Sequence, residues 1–214
     1  MSKKFWMALV LVAVGFIGFL WLSGDKNEAE LEATSSNVVP VRYSTGKQDA
    51  VVKLVEYSDF QCSACGVYYS VVEQVVEKYK DRISFEYRHY PLTTIHRNAF
   101  AAARASEAAG KQGSFWEMYR LLFANQSAWS DSGDVQIIFE GYAEQLKLDT
   151  ERYKTDFASS ETSGAINASI REFNKLGLPK STPTFLLNNK KIQPRDAADL
   201  SRLIDEQLQA AESL

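Results

Sequence analysis

An α/β domain interrupted by a block of helices is the fold class this sequence predicts, and three observations lead to it. The apolar run Val51-Val52-Lys53-Leu54-Val55-Glu56-Tyr57 and the aromatic-rich alternation from Ile83 to Tyr90 read as strands. Between them Tyr68, Val71, Val72, Val75, Val76 and Tyr79 recur at helical spacing. The only two cysteines, Cys62 and Cys65, stand at the junction of the first strand with that helix. Past Pro91 the signals stay helical from Thr94 to Leu176, and only then return to strand, turn, strand and helix.

The N-terminus sets the compartment. Ser2-Lys3-Lys4 precedes an uncharged stretch from Phe5 to Leu22, 18 residues long, with Trp6 and Trp21 near its ends. That length is near the short end of a bilayer span, and indoles favour the membrane interface. Lys3 and Lys4 hold the N-terminus inside, so everything after Leu22 is expected on the extracytoplasmic side. A cleaved signal peptide is the other reading of residues 1–24. The apolar stretch exceeds the usual length for one, roughly 7–15 residues, and no small-x-small cleavage site follows closely, which favours an uncleaved anchor. Both readings export the domain. Residues 25–37 are polar and acidic with no apolar period, a flexible tether, and the domain proper is expected over 38–214.

Within the domain, Val38 to Tyr43 reads as an extended edge segment, because Pro40 argues against a central strand. The strand Val51–Tyr57, the cysteine pair and a helix to about Lys80 follow, then the strand from Ile83 to Tyr90, ended by Pro91. A strand, helix and strand of these lengths suggest a parallel unit. Helices are expected from Ala99 to Ala109, stopped by Gly110, and from Ser114 to Phe123. The next runs from Val135 to Leu146, capped by Asp134 and carrying Ile138, Tyr142 and Leu146 at a spacing of four. Two more are expected at Asp149–Ala158 and Ser163–Leu176, with Gly177 as the residue past the last and Pro179 just beyond. This block, about 94–176, is an inserted subdomain. Thr184 to Leu187 is a short strand, Asn188-Asn189 a turn and Lys190 to Gln193 its hairpin partner. Asp196 caps a final helix to about Ala211, with Leu200, Leu203, Ile204 and Leu208 on one face.

Composition excludes several functions. The chain holds 24 Lys and Arg against 27 Asp and Glu, a net charge of −3, so no basic excess supports nucleic-acid binding. The chemistry points to the cysteines. A helix start presents unpaired N–H groups and the positive end of the macrodipole, and both favour a thiolate over a thiol. Residues three apart on a helix share a face, so Cys65 can reach back to Cys62 and close a small, reducible ring. A disulfide across so small a ring constrains little of the unfolded chain, which argues against a purely structural role. A zinc site would need more ligands. His89 and His96, the only histidines, miss the usual Cys2His2 spacing, and they read instead as a satisfied core or strand histidine and a helix-start residue. Neither a metal nor another cofactor is expected.

The order strand, Glu56, Phe60-Gln61-Cys62-x-x-Cys65-Gly66, helix, Tyr87-Arg88-His89-Tyr90-Pro91-Leu92, helical insert and Thr182-Pro183-Thr184-Phe185 resembles the DsbA-like thiol–disulfide oxidoreductases of the thioredoxin superfamily. The resemblance covers roughly Asp49 to Leu208. It implies a thioredoxin-like fold with an inserted helical subdomain, catalytic Cys62 and Cys65, and supporting roles for Glu56, Thr182 and Pro183. In the family the proline before the strand is cis and packs beside the cysteines, and Pro183 matches it. Glu56, six residues before Cys62, matches a buried acid that assists proton transfer at the second cysteine; a solvent-facing strand residue is the alternative. The departure is Ser63-Ala64 between the cysteines, where strongly oxidising relatives carry Pro-His. No cation is supplied there, although a serine hydroxyl can hydrogen-bond a thiolate.

The function expected is an exported, monomeric oxidoreductase that forms disulfides in secreted or envelope proteins. Its partners would be client proteins with cysteine thiols and a membrane redox partner that reoxidises the Cys62–Cys65 pair. Oxidation is favoured over isomerisation because isomerising relatives usually dimerise through an extra N-terminal domain, for which the tether is too short. Reduction or isomerisation of client disulfides, and a non-catalytic module that holds client peptides, are the alternatives.

Overall fold

The computed structural model describes residues 39–213, and the expected anchor at 1–24 and the tether at 25–37 lie outside them. Among the described residues no helix is long and apolar enough to cross a membrane. Five strands form one sheet in the order β1-β3-β2-β4-β5: β1 (Tyr43–Gly46), β2 (Val52–Ser58), β3 (Ile83–His89), β4 (Thr184–Leu187) and β5 (Lys190–Ile192). The parallel unit expected from the sequence is present. β2 and β3 run parallel in register from Val52 opposite Ile83 to Ser58 opposite His89, joined by α1 (Ser63–Tyr79). The other pairings are antiparallel.

β2 has period-two side chains but is buried on both faces, which is why its sequence is a nearly continuous apolar run. Val52 and Leu54 face Val72, Val75 and Tyr79 of α1 and Leu200, Ile204 and Leu208 of α8 (Ala197–Glu212). Val55 and Tyr57 face the other way, onto Phe173 of α7 (Ser160–Lys175). The turn between β4 and β5 places Asn188 and Asn189 at φ 47° and 64°, the left-handed pair that a two-residue hairpin requires.

The helical insertion comprises α2 (Ala99–Gly110), α3 (Phe115–Ala124), α4 (Gln126–Trp129), α5 (Val135–Gln145), α6 (Thr150–Ala158) and α7. It joins the sheet through aromatic rings. Phe60, in the loop after β2, stacks on Tyr87 of β3 at 5.0 Å and meets Phe123 of α3 at 4.9 Å, while Tyr43 of β1 stacks on Phe115 at 3.6 Å. Gly177 ends α7 at φ 64°, as its position past the helix requires.

Several elements differ from expectation. The edge strand is Tyr43–Gly46 rather than Val38–Tyr43, because the chain pairs with β3 only beyond Pro40, where Tyr43 reaches Phe115 and Glu107. Asp134 precedes α5 but its side chain caps nothing, since ψ at 42° turns it away from the first-turn N–H groups. The buried face of α5 is Val135, Phe139 and Ala143; Ile138, Tyr142 and Leu146 lie one residue round and are only partly covered. α7 begins three residues early, since Ser159 is extended and caps the N–H of Thr162. The short α4 has too few residues to show a period, and the sequence did not announce it.

Candidate active site

The loop from Asp59 to Cys62 carries the chain from β2 into α1. Asp59 shapes it: one carboxylate oxygen accepts the Gln61 N–H at 2.8 Å, the other accepts the Leu92 N–H at 2.9 Å and lies 2.7 Å from His96 Nδ1. Cys62 is the residue before α1, extended at φ −69° and ψ 122°, and its carbonyl accepts the Gly66 N–H at 3.1 Å to start the helix. Cys65 falls one turn later on the inner side. Both thiols are free.

Cys65 is 0% exposed and Cys62 only 8%. The place of Cys62 at the helix start predicts an exposed sulfur; the sulfur is instead largely covered, although Cys62 remains the more open of the pair. The cause is the loop before β4, where the Thr182–Pro183 bond is cis and the Thr182 carbonyl lies 3.5 Å from Cys62 Sγ. Thr184 Oγ1 braces this loop by donating to the Ser181 carbonyl at 2.8 Å. Beside it a cleft of about 250 Å³ is lined by Tyr68, Thr182, Pro183, Phe185, Ile192 and Pro194, among others.

The two sulfurs titrate in opposite directions. The Cys65 thiol, donating to the Cys62 sulfur, is the chief cause that brings Cys62 down to about 5; partial burial opposes this, and Thr182 and the N–H groups of Cys65 and Ala64 add to it. In the dithiol state Cys62 donates to the Thr182 carbonyl. Once ionised it can only accept, and the Thr182 hydroxyl, buried and otherwise unpartnered, is a second donor to it after the Cys65 thiol. Cys65 is pushed well up, first by burial, then by its bond to Cys62 and the charge of Glu56. Glu56 is 1% exposed, so the solvent-facing alternative is excluded. Its carboxyl is raised to about 7, chiefly by burial, with Ser58 offsetting part of the rise and the nearby Cys62 charge adding to it.

The structure brings Cys62, Cys65, Glu56, Thr182 and Pro183 close to one another. It adds contacts that no motif announced. The Gln126 amide of α4 donates to the carbonyls of Phe60 at 2.7 Å and Cys62 at 2.9 Å, fastening the cysteine loop to the insertion. Gly66 must be small because a Cβ there would stand 2.6 Å from Gln126 Oε1. Gln61 Oε1 accepts the Asn98 N–H at 2.7 Å, and the Asn98 amide donates to the carbonyls of Trp129, Ser130 and Ser132. None of these contacts has a local sequence signal, since each joins residues more than thirty positions apart. His89 ends β3 and is buried, as a core or strand histidine would be, 3.1 Å from Glu107, although neither ring nitrogen completes a hydrogen bond. His96 sits in the turn ahead of α2 and braces Asp59 instead of starting the helix. Among the described residues no group of three or more His, Cys, Asp or Glu could hold a metal.

Two outcomes follow from these titrations. Iodoacetamide labelling of reduced full-length protein, read by mass spectrometry, should titrate near pH 5 at Cys62 and leave Cys65 unlabelled at neutral pH. A Cys62 midpoint near the free-cysteine value of about 8.5, or faster labelling of Cys65, would contradict the assignment. Glu56 binds its proton more tightly folded than unfolded, so between pH 4.5 and about 7 its contribution to stability falls as pH rises. Glu56→Gln should therefore raise stability at pH 8 relative to wild type, by on the order of 3 kcal/mol, and leave it nearly unchanged at pH 4. Urea unfolding at the two pH values checks this, and an equal effect at both would contradict it.

Comparison with known proteins places the chain. Residues 39–206 match the family model described as Thioredoxin. Na(+)/H(+) antiporter NhaA 1 of Mycobacterium sp. (strain KMS) is 36% identical over 163 residues, 75% of this chain and 26% of that protein. NhaA 3 of Salinispora tropica is 36% identical over 146 residues, 68% of this chain and 21% of that protein. The chain thus spans about a quarter of the length of these curated relatives. Among solved structures, alpha-DsbA1 of Wolbachia pipientis superposes with a TM-score of 0.70 at 20% identity, covering 84% of this chain and 98% of that one. BdbD of Bacillus subtilis in its oxidised form gives 0.68 at 24%, covering 78% and 92%. The chain belongs to the thioredoxin family, in the DsbA-like arrangement of that fold.

Proposed function

We propose that this protein is an exported thiol–disulfide oxidoreductase that passes a Cys62–Cys65 disulfide to client proteins. The observation that carries the reading is the split between the sulfurs: a Cys62 held as thiolate above a Cys65 held as thiol. A thiolate stabilised in the reduced state favours reduction of the protein's own disulfide, which makes that disulfide an oxidant. In the reaction a client thiolate attacks Cys62 Sγ, the Cys62–Cys65 bond breaks, and Cys65 leaves with the electron pair and takes a proton. A second client thiolate then attacks the client sulfur of the mixed disulfide, and Cys62 leaves as a thiolate. The client dithiol is oxidised and the protein is reduced by two electrons.

Glu56 supplies the acid for Cys65: a carboxyl near pH 7 in strength is well matched to proton transfer at neutral pH. The cleft of Tyr68, Thr182, Pro183 and Phe185 would receive the client segment next to Cys62. Export rests on the Lys3-Lys4 and Phe5–Leu22 pattern, which favours a single-pass anchor with the domain outside. Cycling requires a membrane partner that accepts electrons from the Cys62–Cys65 dithiol, and the protein would act as a monomer.

Reduced, unfolded ribonuclease incubated with the oxidised full-length protein should regain activity, and Cys62→Ser should abolish that gain. Cys65→Ser, mixed with ribonuclease that already holds scrambled disulfides, should accumulate covalent Cys62–client adducts visible on non-reducing gels, because the Cys62 thiolate attacks a client disulfide, expels the other client thiolate, and no second thiol of the protein resolves the product. Binding of the unfolded client with no thiol consumed would replace the enzyme reading with a client-holding module. Protease added to intact spheroplasts of the source cell should digest the domain; protection until lysis would overturn export.

A further inference from the structure

Buried polar atoms without hydrogen-bond partners gather around Glu56 and Cys65: Glu56 Oε2, Ser58 Oγ, Tyr87 OH and Tyr119 OH. Native interiors rarely leave such groups unmatched, and a concentration of them beside reacting atoms points to groups that exchange partners during the reaction. Ser58 is the member best placed to do so. It follows Glu56 by two residues on β2, so both side chains project from the same face of the strand. It is only 1% exposed, and its hydroxyl lies within interaction range of both the Glu56 carboxyl and the Cys65 thiol. A hydroxyl both donates and accepts, which neither a carboxylate nor a thiolate does.

We propose that the Ser58 hydroxyl relays the proton between the Glu56 carboxyl and the Cys65 sulfur. This rests on the reading that Cys62 and Cys65 are the redox pair. When the disulfide is opened at Cys62, the departing Cys65 sulfur takes the Ser58 hydroxyl proton while the Ser58 oxygen takes the proton of the Glu56 carboxyl. The serine ends unchanged, Cys65 is a thiol, Glu56 is a carboxylate, and solvent reprotonates Glu56 afterwards. In the reverse direction the same atoms deprotonate Cys65. The other groups facing this pathway are Cys62 just ahead of α1, Tyr87 and His89 on β3, Tyr119 on α3, Asp59 in the following loop, and Glu107 on α2 behind His89. His89 stands opposite Ser58 in the parallel register, but its contact is with Glu107, away from the sulfurs.

The test uses dithiothreitol and the oxidised full-length protein, with acid quenching and mass spectrometry to count reduced Cys62 and Cys65. Dithiothreitol opens the disulfide in whichever direction the protein works on its clients, so a chain that fails to oxidise unfolded ribonuclease still reports on the relay. After correction for ionisation of the reagent, the wild-type rate should fall as Glu56 loses its proton. Ser58→Ala should slow the reaction at pH 7 by roughly tenfold or more and flatten that pH dependence, because the carboxyl no longer reaches the sulfur. Glu56→Gln should slow it comparably, and the double variant should be no slower than the slower single one. Ser58→Thr, which keeps the hydroxyl, should recover most of the rate. Losses that multiply in the double variant, or a Ser58→Ala rate within twofold of wild type at every pH, would overturn the relay. If Ser58→Ala does not fold, a proton inventory on the wild type decides. A curved dependence on deuterium fraction marks two protons moving together, and a linear one overturns the proposal.

Discussion

Burial of Cys65 directly behind a hydrogen-bonded Cys62 is the constraint on which the rest of the structure depends. A buried sulfur resists ionisation, so Cys65 remains a thiol, and a thiol can donate to its neighbour. That donation is the main reason Cys62 ionises so readily, with no cation between the cysteines. Ser63 and Ala64 are exposed and contribute chiefly the N–H of Ala64. The acidity of Cys62 is therefore a property of how deeply its partner is buried.

Keeping Cys65 buried while leaving Cys62 partly open requires a rigid approach into α1. The helical insertion supplies it. Gln126 holds the carbonyls of Phe60 and Cys62, Asn98 ties Gln61 to the chain around Ser130, and Phe60 itself is clasped between Tyr87 and Phe123. From the other side Asp59 joins the loop to Leu92 and His96. The insertion is thus more than an addition to an α/β sheet; it carries half of the fastenings of the cysteine loop. Gly66 marks the tightest of them, where a side chain would displace Gln126.

The same sheet that positions the loop also sets the acid beneath it. β2 alternates Leu54, Glu56 and Ser58 toward α1 and α3, with Val55 and Tyr57 toward α7. A polar pair is thereby driven into an apolar layer, where a carboxyl is neutral through much of the range below pH 7 and can trade a proton with a thiol.

Much of this was legible in the sequence because it depends on local pattern. Period-two alternation, the helical spacing after Cys65, Asn188-Asn189 at the hairpin, and Asp196 as a helix cap all act within a few residues, and all appear where the pattern puts them. The Cys62-x-x-Cys65 spacing with Thr182-Pro183 ahead of a strand pointed to the site. Apart from Asp134, whose own backbone turns its side chain from the cap, what the pattern misjudged it misjudged where a distant partner decides: the buried side of α5, which tertiary packing selects one residue away, and the closing of Cys62 by a loop 120 residues later. The roles of Gln126, Asn98, Asp59 and Ser58 belong to the same class. Sequence alone determined which residues are chemically capable; only the tertiary structure decided their desolvation and their partners, because both are set by contacts between segments far apart in the chain.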